Sequence, residues 1–552
     1  MDSPPPNPLP EGGGASPFDR LVDDVFETMW ELNPRGPVYL GLHEYDGRVP
    51  DWSPGAVEAT LATLSRGRAE LGTLDDLDAG QELDRRQLVA GLDEALFDWE
   101  TMRHWRRNPM SYVEELGVDL YLKREYAPKP ERMARVAEVL EQAPGFLGLA
   151  RSNLDPVVPR TYCEWGVRIA EGAADFLAQD LLGAVGELDE PGLAARLTDA
   201  GEEAEAAYRG YARWIEEELL PRADDSFPIG GESMEKRLRE AELVEMSLAE
   251  LAALGEANLA ENLAAFREAA AVLDPSAGPR EVYERHVAAV HPTADRLIPA
   301  TEEMLESIRS FLIERDIITV PSEVRALVDH TPRHLRWVFA MMSTPGPYEK
   351  VATQAFYYIT PVDPAWDERQ AEEWLRALNT FALEDISIHE AYPGHYVHFL
   401  HVQQAPTETS RRLASYAFTE GWAHYAEQMM WDEGYRGGDL RFRLAQLTEA
   451  LVRNCRFVCA IAMHTGEMTV DEATRFFMEN AYYEETPARK EAERGTFDPG
   501  YFSYTLGKLQ ILRLRKDHRK AAGPDYSLKG FHDALLSRGA PPVELMRAVI
   551  SS

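Results

Sequence analysis

Ser247-Leu248-Ala249-Glu250-Leu251 opens a run to Phe266 whose spacing decides the fold class. Ser247 and Glu250 stand three apart, as in a capping box, where each side chain satisfies a free backbone N–H at a helix start. Leu248, Leu251, Leu259, Leu263 and Phe266 then recur at helical spacing and form one apolar stripe, which a helix would bury. The same three- and four-residue spacing, with little β-branched alternation, continues from about Phe18 to Val320. A mainly α, large multi-helix fold is expected.

The chain has 552 residues, 45% hydrophobic and 27% charged, which is ordinary for a folded soluble protein with two or more structural units. Against 94 acidic residues stand 57 basic ones, a net charge of −37. Such a field repels nucleic acid and anionic lipid, so neither nucleic acid nor membrane is expected as a partner. An acidic solvated surface explains the charge better than a patch that selects cationic substrates. Cys163, Cys455 and Cys459 are too few for a disulfide framework, and the N-terminus has neither the basic nor the apolar segment of a signal peptide. A cytoplasmic protein is the expectation.

Residues 1–16, rich in proline and glycine, read as a disordered tail. Thr331-Pro332 and Thr344-Pro345-Gly346-Pro347 mark a boundary, so an N-terminal helical region at 17–330 and a C-terminal helical catalytic region at 331–552 are expected. Phe356-Tyr357-Tyr358-Ile359-Thr360, ended by Pro361, has the content of a short strand at the edge of a small sheet near the site. Ala371 to Leu383 reads as helix, Gly466 as a helix stop, and Thr469 with Glu472 as the start of a helix through Asn480.

The chemistry begins at His389-Glu390-Ala391-Tyr392-Pro393-Gly394-His395. A hydrolytic zinc site needs three protein ligands, a position left open, and a carboxylate to take a proton from water. Two histidines four apart on a helix share a face; here they are six apart, which leaves the second about 120° off on an ideal helix. Pro393 and Gly394 must deform that helix, and a bulge would return His395 to the face of His389. Downstream, Glu420, His424 and Glu427 lie at i, i+4 and i+7. Glu420 is assigned to the metal and Glu427 to the support of a ligand imidazole. His424 has no assigned place. His398 and His401 read as solvent-facing or supporting residues, and Tyr357, Tyr358 and Tyr501 as packing aromatics.

These residues resemble a bacterial family, the domain of unknown function 885, whose members look like relatives of the gluzincin zinc metallopeptidases. HEAYPGH from His389 matches the family's HExxPGH, and EGWAHYAE from Glu420 matches its EGWAxYAE. The EGWA portion is also similar to the glutamate-bearing segment of zinc aminopeptidases, which implies Glu420 as a ligand. Tyr504-Thr505-Leu506-Gly507 resembles the family's YxxG element, while Arg453, Arg456 and His464 fall on its RxxR…H pattern. Ala460 departs from that pattern, where the family has aspartate. Gly41-Leu42-His43-Glu44-Tyr45-Asp46 and Gly230-Gly231-Glu232 look like further landmarks.

The resemblance implies a metallopeptidase-like fold carrying one zinc per chain, bound by His389, His395 and Glu420. Glu390 is then the general base, Tyr504 a donor to the oxyanion, and Glu427, Arg456, His464 and Lys508 supporting or substrate-binding residues. The expected activity is hydrolysis of short peptides. Two alternatives stand beside it: a non-catalytic metal- or peptide-binding protein of the same fold, and a zinc hydrolase of non-peptide amides or esters. An intact Glu390 favours an enzyme, because metal binding alone needs no carboxylate beside the ligands.

Overall fold

The computed structural model describes residues 16–332, 336 and 338–550. Of the expected tail, 1–15 lies outside the described residues, and Ser16 caps the first helix. The chain is 71% helix and 3% strand, so its cores are built by helices packing on helices.

The helix at Leu248–Leu273 starts as its sequence requires: the N–H of Ser247 donates to Glu250 at 2.9 Å, and Ser247 Oγ accepts from the N–H of Glu250 at 3.3 Å. Its buried face holds Leu251, Leu259, Leu263 and Phe266 and packs along the helix Leu440–His464. Thr469 and Glu472 cap Val470–Asn480 in the same way, and Gly466, at φ +80°, follows the end of the preceding helix. Ala371 to Leu383 is not one helix. Glu368–Ala377 ends at Leu378, and Asn379 starts Thr380–Glu390 by accepting from the N–H groups of Phe381 and Ala382.

Phe356–Ile359 is a strand, but the central one of three. Leu327–His330 runs parallel on one side of it and Ala340–Ser343 antiparallel on the other. Both of its edges are therefore paired, and Tyr357, Tyr358 and Ile359 are buried.

The apolar cores group differently from the expected division between residues 330 and 331. One core takes its residues from Phe18 to Ala223, with helices such as Lys129–Asn153 and Pro191–Trp214 packed on each other. The largest runs from Met110 to Ile550 and joins helices from both sides of residue 330, because Leu248–Leu273 and Leu297–Glu314 bury their apolar faces against the helices that carry the motif residues. A small third core seats Gly231–Glu240 on Phe457, Tyr501, Phe502 and Leu506.

The tightest approach is between Tyr416–Asp432 and Ser503–Ala522, the helices of Glu420 and Tyr504. A Cβ on Gly507 would lie 1.7 Å from the carbonyl oxygen of Ala417, and one on Gly421 would lie 2.5 Å from Gly507 Cα. Only glycine at both positions lets the backbones meet. Gly507→Ala should therefore destabilise by about 1–3 kcal/mol through overpacking. Gly172→Ala, exposed on the helix Arg160–Phe176 with nothing near its Cβ, should stabilise by roughly 0.5–1 kcal/mol. Thermal denaturation that moves both variants in the same direction would contradict this packing.

Candidate metal centre

His389 is the penultimate residue of Thr380–Glu390. Instead of the expected bulge within one helix, the helix stops at Glu390 and a second one, His395–Gln403, begins after the cis Tyr392–Pro393 peptide. The turn folds back so closely that a Cβ on Gly394 would lie 1.7 Å from the carbonyl oxygen of His389, and the N–H of Gly394 donates to Ile388 at 3.0 Å. Trp422 Nε1 donates to the Pro393 carbonyl at 3.0 Å and pins the turn. His395 thereby returns beside His389, with ring centroids 4.8 Å apart and planes at 88°.

Glu420 faces this pair from the helix Tyr416–Asp432. Its Oε2 lies 3.5 Å from His389 Nε2 and 3.5 Å from His395 Nε2, and it is buried with no hydrogen-bond partner among the described residues. Ligand atoms about 2.0–2.1 Å from a tetrahedral zinc stand roughly 3.3–3.4 Å apart. The donor set fits such an ion in kind, and each imidazole Nε2 stands at nearly the required separation from the carboxylate oxygen. Glu390 belongs to the same cluster, since ligand atoms of His389, Glu390 and His395 lie within 4.8 Å of one another. Its Oε2 accepts from the N–H of Met342, in the strand Ala340–Ser343, at 2.9 Å.

Behind His389 lies Glu427, fully buried. Its Oε1 accepts from His389 Nδ1 at 2.7 Å, its Oε2 from His424 Nδ1 at 2.9 Å, and Arg453 Nη2 is 3.1 Å away. Burial favours the neutral acid, but the charge of Arg453 and then the two imidazoles outweigh it and hold this carboxyl well below its usual range. Burial pulls His389 down, yet the Glu420 and Glu427 carboxylates raise it to about 9. With Nδ1 committed to Glu427, His389 keeps Nε2 for a metal. His424 is thus a support for Glu427, and burial pushes it down to about 3.

Tyr504 lies over the same centre, its ring 6.4 Å from that of His389 and inclined by 18°. Arg456, Arg453 and Arg494 approach this ring at 5.0, 5.8 and 5.9 Å. Arg456 is committed to Glu491 through two hydrogen bonds of 2.8 Å. Lys508, one turn beyond Tyr504, is buried with no hydrogen-bond partner for its ammonium among the described residues, and burial lowers it to about 8. His464 is elsewhere: its Nε2 meets the Gly495 carbonyl at 2.8 Å, and it packs on Phe227. Burial lowers it to about 4, so the missing carboxylate at Ala460 leaves a neutral brace. His398 is not solvent-facing; it is buried against the Gly539 carbonyl at 3.2 Å and pushed down to about 3 by burial. His401 meets the Thr319 carbonyl at 3.0 Å.

Asp385 escaped the sequence reading. It sits one turn before His389, with both carboxyl oxygens buried and without hydrogen-bond partners among the described residues. Burial, then Glu427 and Glu449, push it well above the usual carboxylate range. Its i−4 position from a metal-ligand candidate was the available signal. Arg494 and Tyr416, which hydrogen-bond each other at 3.0 Å beside Tyr504, had none.

Residues 34–550 match the model of a family described as bacterial protein of unknown function, DUF885. The chain belongs to the DUF885 family. A solved structure described as "a putative lipoprotein of unknown function" from Shewanella oneidensis aligns with this DUF885 chain at a TM-score of 0.81 and 23% identity, covering 98% of this chain and 100% of the other. A second, described as "the putative lipoprotein" from Colwellia psychrerythraea, aligns at 0.79 and 18% identity over 97% and 98%. These likenesses establish the fold. A structure described as "a putative oligoendopeptidase F" from Bacillus anthracis reaches a TM-score of 0.28 at 12% identity, too low to carry an argument. No curated protein matches the chain.

The expected cytoplasmic placement is overturned by the first two descriptions, since both proteins that share the whole fold are named as lipoproteins. The cysteine argument fails for a physical reason. Cys163, Cys455 and Cys459 are each buried and unpaired, so the fold itself shields them and their number says nothing about the compartment. No helix among the described residues is long and apolar enough to cross a membrane.

Glu427 and Arg453 form the buried ion pair at this centre, and removing one partner strands the other. Arg453→Met should cost about 3–5 kcal/mol, read as a fall in the thermal midpoint. Arg209→Met, which breaks exposed pairs with Asp175 and Glu205, should scarcely move it. Equal shifts in the two variants would refute the role given to the buried pair.

Proposed function

We propose that this DUF885 protein is a zinc-dependent hydrolase of short peptides, with His389, His395 and Glu420 as ligands and Glu390 as the general base. The observation that carries the reading is Glu420 Oε2: buried, without a partner, and 3.5 Å from both imidazole Nε2 atoms. A buried carboxylate oxygen without a hydrogen bond is costly, and a cation between these three atoms would satisfy it. The gluzincin-like motif pair supports the same assignment. Bound there, zinc would polarise a substrate carbonyl and make water acidic near neutral pH.

The protein's own groups do the rest. Glu427 holds the proton of His389 on Nδ1 and leaves Nε2 free. Met342 fixes Oε2 of Glu390, so Oε1 is the atom that takes a proton from water and delivers it to the departing amine. Tyr504, pushed up by burial and then by Glu420, keeps its phenolic proton and donates a hydrogen bond to the carbonyl oxygen as negative charge builds there. The side chains of His389, Glu420 and His395 are 7%, 19% and 20% exposed, a recessed site that suits short flexible chains better than folded proteins.

Purified protein should carry about one zinc per chain, and a chelator should abolish turnover. His389→Ala should lose the metal. Glu390→Gln should retain it with turnover removed, since the amide cannot accept the proton. Tyr504→Phe should lose a factor on the order of 10² to 10³ in kcat at unchanged metal content. Elemental analysis that finds no divalent metal, with no uptake from added zinc, would overturn the reading. Zinc binding without cleavage of peptides, esters or amides would leave a binding protein.

A further inference from the structure

The Gly41–Asp46 motif has no part in the proposed chemistry, yet it clasps the loop that follows the strand holding Glu390. Gly41, at φ +88°, lies so close to this loop that a Cβ would stand 2.5 Å from the Glu349 backbone nitrogen. In return, a Cβ on Gly346 would lie 2.1 Å from the carbonyl carbon of Leu40. The N–H of Tyr348 donates to the Leu40 carbonyl at 2.9 Å.

The polar part of the clasp is closed on itself. His43 Nε2 meets Glu349 Oε2 at 3.0 Å, and its Nδ1 meets Asp46 Oδ1 at 3.2 Å. The imidazole stacks on Tyr126 with centroids 3.6 Å apart, and the Tyr126 hydroxyl donates to Asp46 Oδ2 at 2.6 Å. The other oxygen of Glu349 accepts from the N–H groups of Val351 and Ala352 at 2.8 and 3.1 Å. The Glu349 side chain is only 3% exposed, so loss of His43 would leave a nearly buried carboxylate oxygen without that hydrogen-bond partner. Arg124, also from the N-terminal core region, donates to Ser343 Oγ at 3.1 Å and to the Gln354 carbonyl at 3.2 Å, at either end of the same loop.

The strand Ala340–Ser343 needs such anchors. It is a four-residue edge strand paired on one side only, and so short a ladder is marginal by itself. Its Met342 N–H is the group that holds Glu390 Oε2. We propose that Glu349 and His43 are positioning residues, which hold the strand Ala340–Ser343 in place from the N-terminal helices and through it orient the Glu390 carboxylate. This rests on Glu390 being the base. A motif more than 300 residues from the metal-binding sequence thereby acts on its geometry.

The test is hydrogen exchange on the zinc-loaded full-length protein, read over residues 340–343 and over the helix Tyr416–Asp432, with kcat and KM measured alongside. Glu349→Ala should speed exchange over 340–343 by about tenfold and leave the helix unchanged. It should lower kcat by about tenfold, with KM and bound zinc held. Glu349→Gln, which still accepts from Val351 and Ala352 and can bond a neutral His43, should recover most of both. Should Glu349→Ala fail to fold, His43→Ala, at a side chain 27% exposed, gives the same readout. Exchange over 340–343 at the parental rate, or faster exchange spread equally over the chain, would overturn the proposal. Faster strand exchange in a parent that cleaves nothing would remove the hydrolase and leave only a structural clasp. An active parent whose strand does not respond would keep the hydrolase and refute the clasp.

Discussion

The candidate centre depends on one fully buried carboxylate. Glu427 cannot sit without counter-charge in a core that also holds Trp422, Tyr425 and Met430. It recruits His389, His424 and Arg453 from three helices, and each contact fixes a partner needed elsewhere. His389 is held in one tautomer. Arg453 is placed near the ring of Tyr504. Asp385, beside the same carboxylate, is pushed well above the usual range by its burial and then by the charge of Glu427. The polar centre is thus a set of compensated groups inside an apolar shell, where every partner removed leaves another group exposed to the low dielectric.

How legible this was depended on whether the cause was local. The capping box at Ser247, the stripe through Phe266 and the helix from Val470 to Asn480 follow from contacts within a few residues, and their elements stand where the sequence put them. The motif turn was half legible. Pro393 and Gly394 required a deformation, but whether it would be a bulge or a break was set by Trp422, 29 residues on, gripping the Pro393 carbonyl. The central place of Phe356–Ile359 was not legible, because Leu327–His330 and Ala340–Ser343 carry weak strand signals and gain their form from the pairing. The core grouping was not legible for a similar reason. Proline-rich turns near residue 331 mark a change of direction, while membership of a core is decided by which helix faces meet.

Close backbone approach was half legible. Gly507 suits a close approach of backbone, but its partner Gly421 reads as an ordinary motif member, and together they set the separation of the helices that carry Glu420 and Tyr504. A tyrosine three residues from a glycine says nothing about a phenol near His389 until the partner glycine is known. Here the two residues between Tyr504 and Gly507 place the ring about one helical turn from the contact, on the side of His389.

The spacing of the second motif has a simple geometric content. Seven residues of helix turn through about 700°, so Glu420 and Glu427 share a face and are separated by roughly 10 Å along the axis. The His389 ring lies along that axis, with Nε2 toward Glu420 and Nδ1 on Glu427. One helix thus meets both nitrogens of one imidazole: Glu420 faces Nε2 at 3.5 Å, and Glu427 accepts from Nδ1 at 2.7 Å. His424, at i+4 from Glu420, takes the remaining oxygen of Glu427 and prevents that carboxylate from turning. A spacing of six would carry the second carboxylate about 100° away, and the imidazole would lose the partner that decides its tautomer.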